Sequence, residues 1–185
     1  MYAVRVATSS EHVVLLRAVN VGGTAKLPMA ELRRLLEGVG CADVRTYVQS
    51  GNAVVRAPAR LADALPTRLG DAIERALGFR PAVIVRSAQA WRDIAAAHPF
   101  EAEGVEPKLL HVAFLDAAPA AGRALDPARS PGDRALVRGE EVFLHYPSGS
   151  GRSKLDNAYL ERALGVASTM RNWRTVGALA AMLSA

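Results

Sequence analysis

Hydrophobic positions in the first half of the chain follow the periods of strands and helices. His12 to Val19 is an apolar run interrupted only by Arg17, which is typical of a central strand. The segment from Pro28 to Gly40 repeats apolar residues at helical spacing, and proline and glycine suit its first turn and its C-terminus respectively. The sequence therefore predicts a strand followed by a helix.

The next pattern predicts a hairpin, a helix and a strand. Val44 to Gln49 and Ala53 to Ala57 flank the turn residues 50–52, which is typical of a β-hairpin. A helix then runs from about Arg60 to Gly78, kinked or restarted at a proline, and Pro81 to Arg86 forms a strand. The order β-α-β-β-α-β is the ferredoxin-like pattern.

The second half repeats this order after a linking helix that runs from Ser87, a favoured N-cap residue, to about Ala97. The elements predicted after it are a strand Leu109–Leu115, a short helix Pro119–Leu125, a hairpin of Asp133–Arg138 and Glu141–Tyr146 around Gly139, a helix Leu155–Leu164, a strand Val166–Met170 and a helix Trp173–Leu183. We therefore expect an α+β fold of two tandem ferredoxin-like (βαββαβ-type) units, with mainly antiparallel sheets and an extra C-terminal helix. The expected boundaries are an extension over 1–10, a first unit over 11–86, a linker over 87–108 and a second unit over 109–185.

Composition narrows the class of protein. The chain has 185 residues, of which 50% are hydrophobic and 22% charged, which is enough to bury a full core. Its single cysteine, Cys41, excludes an internal disulfide, and with no cysteine or histidine cluster we expect no metal site. No apolar run approaches the length of a membrane helix, and no secretory signal is recognisable at the N-terminus. We therefore expect a cytoplasmic protein with no membrane contact.

The charge balance favours anionic partners. The formal net charge is +5 and the isoelectric point is near 9.9. Lysine occurs only as Lys26, Lys108 and Lys154, so most of the 23 basic residues are arginines, and these are dispersed along the chain. Dispersed arginine is as typical of a compositional bias as of a binding surface.

Three polar motifs carry the candidate chemistry: Leu15 to Gly23, Tyr47 to Asn52 and Thr169 to Thr175. Together, in this order, they resemble a bacterial family known as domain of unknown function 1697. The chain departs from the pattern at Ala18, Ala53, Arg56 and Arg174. The resemblance implies a two-part α+β fold of ferredoxin-like character, and it implies no activity, substrate or catalytic residue.

Each motif has a binding interpretation and a structural one. Glycines after the first strand allow backbone N–H groups to converge on an anion near a helix N-terminus, or they only turn the chain. Turn chemistry is the structural interpretation of the second motif, and its binding interpretation rests on Gln49, which shares a strand face with Tyr47 and Arg45. Capping and packing explain part of the third motif, but Arg171 and Arg174 beside a helix N-terminus favour a nearby anion or carboxylate. A Gly/Ser loop over 148–154 before a helix suits phosphate, or it is a mobile linker. The candidate ligand-binding residues are Arg17, Asn20, Gly22, Gly23, Lys26, Gln49, Ser50, Asn52, Arg152, Lys154, Arg171, Asn172 and Arg174.

Two classes of function remain open. The preferred hypothesis is a module that binds a phosphorylated small molecule or nucleotide-like ligand in a cleft between the two units. The alternative is an enzyme acting on a phosphate-containing substrate, although no general base or cofactor is identifiable. Nucleic acid is possible but disfavoured, because the central strands lack stacking aromatic residues. We expect the histidines to be structural, and the alternative is that His111 and His145, which both lie on predicted strands, face each other across the second sheet. The chain is expected to be a monomer or a weak homodimer.

Overall fold

The computed structural model of the protein describes residues 9–101 and 104–184. The described chain divides into a first unit, residues 9–91 with 182–184, and a second unit, residues 92–181. The predicted N-terminal extension lies outside the described residues except for Ser9 and Ser10, which begin the first strand. In this part of the chain, no helix is both long enough and apolar enough to cross a membrane.

The first unit contains a four-stranded antiparallel sheet in the order β2-β3-β1-β4. Strand β1 is central, as its apolar run predicts, and helix α2 is continuous through Pro66. The predicted helix-hairpin-helix-strand succession is confirmed. The elements are β1 (Ser9–Leu16), α1 (Met29–Gly38), β2 (Ala42–Tyr47), β3 (Asn52–Pro58), α2 (Ala59–Leu77) and β4 (Val83–Ser87).

Helices α1 and α2 form the core of the first unit with one face of this sheet. Leu32 and Leu36 of α1 lie one helical turn apart, and both are fully buried in the same cluster as Val14 and Val55 of the sheet. Gly40 follows α1 with a φ of +106°, a conformation that glycine adopts without a Cβ clash, so the helix ends where the sequence predicts.

The second unit repeats the strand order with a second antiparallel sheet, β6-β7-β5-β8. The boundary between the units falls within α3, whose N-terminus is capped by Ser87 as predicted: the Ala90 N–H donates to Ser87 Oγ at 3.2 Å. The elements are α3 (Ala88–Ala95), β5 (Leu110–Leu115), β6 (Arg134–Arg138), β7 (Glu141–His145), α4 (Asn157–Leu164), β8 (Ser168–Asn172) and α5 (Trp173–Met182).

One predicted helix, over 119–125, is wrong. The segment between β5 and β6 has turns and irregular backbone, including Gly122 with a φ of +83°. Alanine favours helix locally, but Leu125 is the segment's only large apolar residue, so a helix there would have no apolar face to pack against the sheet. The second unit therefore has an irregular segment, residues 116–133, in the position that α1 occupies in the first.

A charged cluster joins the last described residues to the first unit. The Glu11 carboxylate accepts hydrogen bonds from the Ser184 N–H at 2.7 Å and from the Arg45 guanidinium, and Arg45 also donates to the Met182 carbonyl at 2.6 Å. Burial by itself would raise the pKa of Glu11, but the hydrogen bonds from Ser184 and Arg45 outweigh it and hold the pKa below its usual range.

Candidate functional site

The loop after β1, residues 17–28, has an unusual backbone. Ala18, Asn20, Gly22, Gly23 and Ala25 all have positive φ angles, between +49° and +77°. An alanine in this conformation brings its Cβ against the backbone, at a cost of roughly 1–2 kcal/mol. Strain of this kind persists only where surrounding interactions hold the loop in place.

Asn20 holds this loop closed. Its side-chain amide donates to the Leu27 carbonyl at 2.8 Å and to the Gln49 carbonyl at 2.8 Å, and its Oδ1 accepts from the Leu27 N–H at 2.8 Å. The first and third bonds close the loop on itself, and the second ties it to the β2–β3 turn. The Asn20 side chain therefore positions the backbone, in agreement with the structural interpretation of the first motif and not with its binding interpretation.

The same loop exposes a basic and donor-rich surface. Gly22, Gly23 and Lys26 are exposed, and within residues 9–101 and 104–184 we find no partner for the two glycine N–H groups or for the lysine ammonium. Helix α1 begins at Met29, directly after the loop, and Pro28 before it provides no side-chain cap. Uncapped N–H groups at a helix N-terminus carry partial positive charge, so loop and helix attract anions together.

The β2–β3 turn contributes mainly structure. Asn52 is fully buried and donates to the Tyr47 carbonyl at 3.2 Å, so it does not face solvent. Gln49 and Ser50 are exposed, and Gln49 lies within the turn rather than at the end of β2. Gly51 has a φ of +70°, and a Cβ there would lie 2.6 Å from Val19 Cγ2, so this position accepts only glycine.

The Gly/Ser loop of the second unit does not lead directly into a helix. Helix α4 begins at Asn157, and the Asp156 carboxylate caps it by accepting the Tyr159 N–H at 2.8 Å. The Asp156 carboxylate therefore occupies the helix N-terminus at which the sequence predicts a bound phosphate. Arg152 and Lys154 are exposed before this cap.

The third motif contains a helix cap, Asn172, and a buried arginine, Arg171. Asn172 caps α5, as predicted, by accepting the Thr175 N–H at 2.8 Å. Arg171 is buried and donates to the Thr169 hydroxyl at 2.7 Å and to the Met170 carbonyl at 2.8 Å, and burial lowers its pKa to about 10. Arg174 is exposed and lies near Glu106, which forms an ion pair with Lys108 at 2.7 Å.

Arg86 of the first unit is the counterpart of Arg171, although it lies outside the motifs from which the candidate residues were predicted. Each is the fourth residue of a five-residue strand, each pairs with a buried valine (Val13 or Val112), and each donates to the carbonyl of the preceding residue. The signal was present in the sequence, because in both places an arginine precedes an N-cap residue and a helix. The two units therefore share side-chain details as well as strand order.

The charged cluster around Glu11 is balanced rather than electropositive. A cavity of about 560 Å³ beside it is lined by Glu37, Asp43 and Arg56 as well as the Glu11–Arg45 pair. Arg56 donates to the Asp43 carboxylate at 3.1 Å. Because both arginines are engaged with carboxylates, this cavity attracts anions less than the 17–28 loop does.

The histidines of the second sheet do not share one face. His111 pairs with Leu144 and His145 pairs with Leu110, so the two histidines lie on opposite faces of the second sheet, which excludes the alternative that they face each other. In the described ranges no group of three or more histidine, cysteine, aspartate or glutamate side chains is arranged to hold a metal ion.

Strand order and helices together define an α+β protein with two four-stranded antiparallel sheets and five helices in its described part. The profile of DUF1697, a family described as protein of unknown function, matches residues 10–143. The chain belongs to this family, which confirms the resemblance carried by the first two motifs.

Solved structures give the same fold. The chain is similar to the conserved bacterial protein SP0830 from Streptococcus pneumoniae, with a TM-score of 0.66 and 21% identity over 96% of this chain and 100% of that chain. Similarity at this level of identity shows the fold alone. Among curated proteins, none matches this chain.

Proposed function

We propose that the 17–28 loop binds a phosphorylated small molecule or nucleotide-like ligand through its phosphate. The observation that carries this proposal is the exposure of Gly22, Gly23 and Lys26 in the loop that leads into the uncapped start of α1. Left-handed residues let successive N–H groups point to the same side of the backbone, and such concave arrangements bind anions. The side chain of Lys26 adds one full positive charge to these partial charges.

A small ligand is favoured over a nucleic acid by the burial of the first sheet. Val13, Leu15 and Val54 face away from α1 and α2, and all three are fully buried, so this face offers no platform for stacked bases. The 17–28 loop is short, and its basic charge is confined to its two ends, at Arg17 and Lys26. A single phosphate group matches this size better than an extended polyanion.

Thermal unfolding in the presence of defined anions tests the proposal. Inorganic phosphate, pyrophosphate and AMP are compared with sodium chloride at equal ionic strength, because a ligand that binds only the folded state raises the melting temperature. Lys26→Gln removes the charge, and Gly23→Ala disturbs a backbone with a φ of +77° without meeting another atom within 4 Å. We expect both variants to lose the phosphate-specific rise.

Matched controls separate binding from general destabilisation. Lys108→Gln removes an exposed lysine elsewhere, and Gly132→Ala introduces a Cβ at a φ of +90°, again with no atom within 4 Å. Both should keep the response of the unchanged protein. Equal stabilisation by chloride and phosphate, or amide NMR shifts confined to residues outside 17–31, would refute the proposal.

We further propose that both units are variants of the ferredoxin-like fold in a cytoplasmic protein. The first unit's β-α-β-β-α-β order and the repeated strand order support this assignment. In the second unit the irregular segment 116–133 replaces the first helix of the pattern.

A further inference from the structure

The four edge strands of the two sheets are not equally covered. Strands β2, β4 and β8 each contain buried or half-buried residues, whereas all five residues of β6 are exposed. Among the described residues β6 pairs only with β7. An exposed edge strand presents backbone N–H and C=O groups on which another strand can form hydrogen bonds.

The two units differ in what covers the side chains of β2 and β6. In the first unit α1 lies next to the corresponding strand β2, and Arg33 of α1 donates to Thr46 of β2 at 3.3 Å. The irregular segment 116–133 provides no such helix beside β6. The missing helix therefore accounts for exposed side chains of β6, and the backbone edge is open because, among the described residues, β6 pairs only with β7.

A cavity borders the first half of β6. It has a volume of about 480 Å³, and its apolar walls are formed by Phe100, Leu125, Pro127, Leu136 and Leu155. Leu136 is 37% exposed and is one of the few large apolar residues in the described chain with so much free surface. The cavity is wide enough to take an apolar side chain from an added strand.

Charge alternates with apolar surface along one face of β6. Arg134, Leu136 and Arg138 share this face because side chains alternate along a strand. The Arg134 guanidinium lies 4.3 Å from the centre of the Phe100 ring, and the Arg138 guanidinium lies 5.8 Å from the centre of the Phe143 ring. These cation–π contacts help to fix the positions of both arginine side chains.

We propose that β6 is a docking edge for an extended strand of a partner protein. In that partner strand, an acidic residue lies two positions before and two positions after a central apolar residue. Acidic residues of that strand would lie opposite Arg134 and Arg138, and its apolar residue would lie beside Leu136 at the cavity. Glu141 of β7 lies opposite Arg138 on the other side, so the partner's acid completes an alternation of charge across three strands. The pattern Arg-x-Leu-x-Arg of β6 is the same in both chain directions, so the partner strand is able to pair with it in parallel or antiparallel orientation.

A second copy of this chain fits the edge less well. Antiparallel pairing of two β6 strands around Leu136 would place Arg134 of each copy opposite Arg138 of the other, and like charges directly opposite are destabilising. Asp126 and Asp133 at the cavity rim accept hydrogen bonds from the Ala128 N–H at 2.9 Å and the Ser130 hydroxyl at 2.6 Å, which offsets part of their repulsion of an acidic strand.

A labelled, end-capped peptide Thr-Glu-Thr-Val-Thr-Glu-Thr is a suitable probe, and the same peptide with lysine in place of glutamate is its control. Fluorescence anisotropy measures binding to the full chain, and hydrogen exchange locates it. We expect the acidic peptide to bind and to slow exchange of the amides of residues 134–138. The double variant Arg134→Glu with Arg138→Glu should weaken the acidic peptide by about tenfold or more and should favour the lysine peptide.

The double variant Arg123→Glu with Arg129→Glu is the matched control, because it makes the same charge change at two exposed arginines outside β6. It should bind the acidic peptide like the unchanged chain. Equal weakening by both double variants, or binding without protection of β6, would overturn the proposal. So would an absence of binding at millimolar peptide, or sedimentation showing that the free chain self-associates through a protected β6.

Discussion

Removing the side chain of Asn20 should open the 17–28 loop. The three hydrogen bonds at 2.8 Å are worth about 0.5–1.5 kcal/mol each, and the one to Gln49 is solvent-exposed and counts least. Asn20→Ala should therefore lower the free energy of unfolding by about 2–3 kcal/mol, measured by urea denaturation. The Leu27 amide, which donates to Asn20 Oδ1, should exchange with solvent much faster.

Two further substitutions separate hydrogen bonding from backbone strain. Asn20→Gly removes the same bonds but accepts the φ of +57° freely, so it should be about 1 kcal/mol more stable than the alanine variant. Asn20→Asp keeps only the acceptor for Leu27, so the Leu27 amide should stay protected while the tie to Gln49 is lost. An alanine variant within about 0.5 kcal/mol of the unchanged chain, with Leu27 still protected, would contradict the role given to Asn20.

Three other predictions follow from the structure. Gly51→Ala forces a Cβ into contacts under 3.0 Å and should cost about 3 kcal/mol or prevent folding, whereas Gly132→Ala should cost only about 1 kcal/mol of backbone strain in the same denaturation assay. Burial lowers the pKa of His98 and His111 below 6.5, so as the pH falls the unfolded chain takes up protons before the folded chain does. The free energy of unfolding should therefore be highest above pH 6.5. It should fall as the pH drops towards the pKa values of the folded chain, by up to about 1.4 kcal/mol per pH unit for each histidine. His98→Gln should make that fall shallower, and an unchanged slope would contradict it. Burial raises the pKa of Cys41 to about 11, so this thiol should not react with a thiol reagent at neutral pH until the chain is unfolded; rapid labelling of the native protein would show that it is accessible.

Local signals predict most of the first unit and the caps of two helices. Proline and glycine at the ends of α1, the apolar run of β1 and the caps at Ser87 and Asn172 depend on neighbouring residues alone, and all agree with the structure. The strand order of each sheet then follows from the usual pairing of consecutive hairpin strands and their neighbours.

Long-range partners could not be predicted in the same way. Asn20 is predicted as a ligand-binding residue because it is an amide where a strand ends, but one of its partners, the Gln49 carbonyl, lies 29 residues away. The segment 119–125 failed for a related reason: alanine propensity is local, whereas a helix on a sheet needs an apolar face that contacts distant strands. Burial of Arg171 likewise depends on tertiary packing and not on its helix-flanking position.

The bond between Glu11 and Ser184 spans 173 residues and has a consequence for synthesis. A nascent chain presents the Glu11 carboxylate early, but its Ser184 partner is synthesised 173 residues later, after the second unit. Until then this carboxylate has Arg45 as a partner but lacks the two hydrogen bonds from Ser184, so one end of the first sheet stays incomplete while the second unit is already being made. The hydrogen bonds of the first strand should therefore be completed only after the second unit has been synthesised.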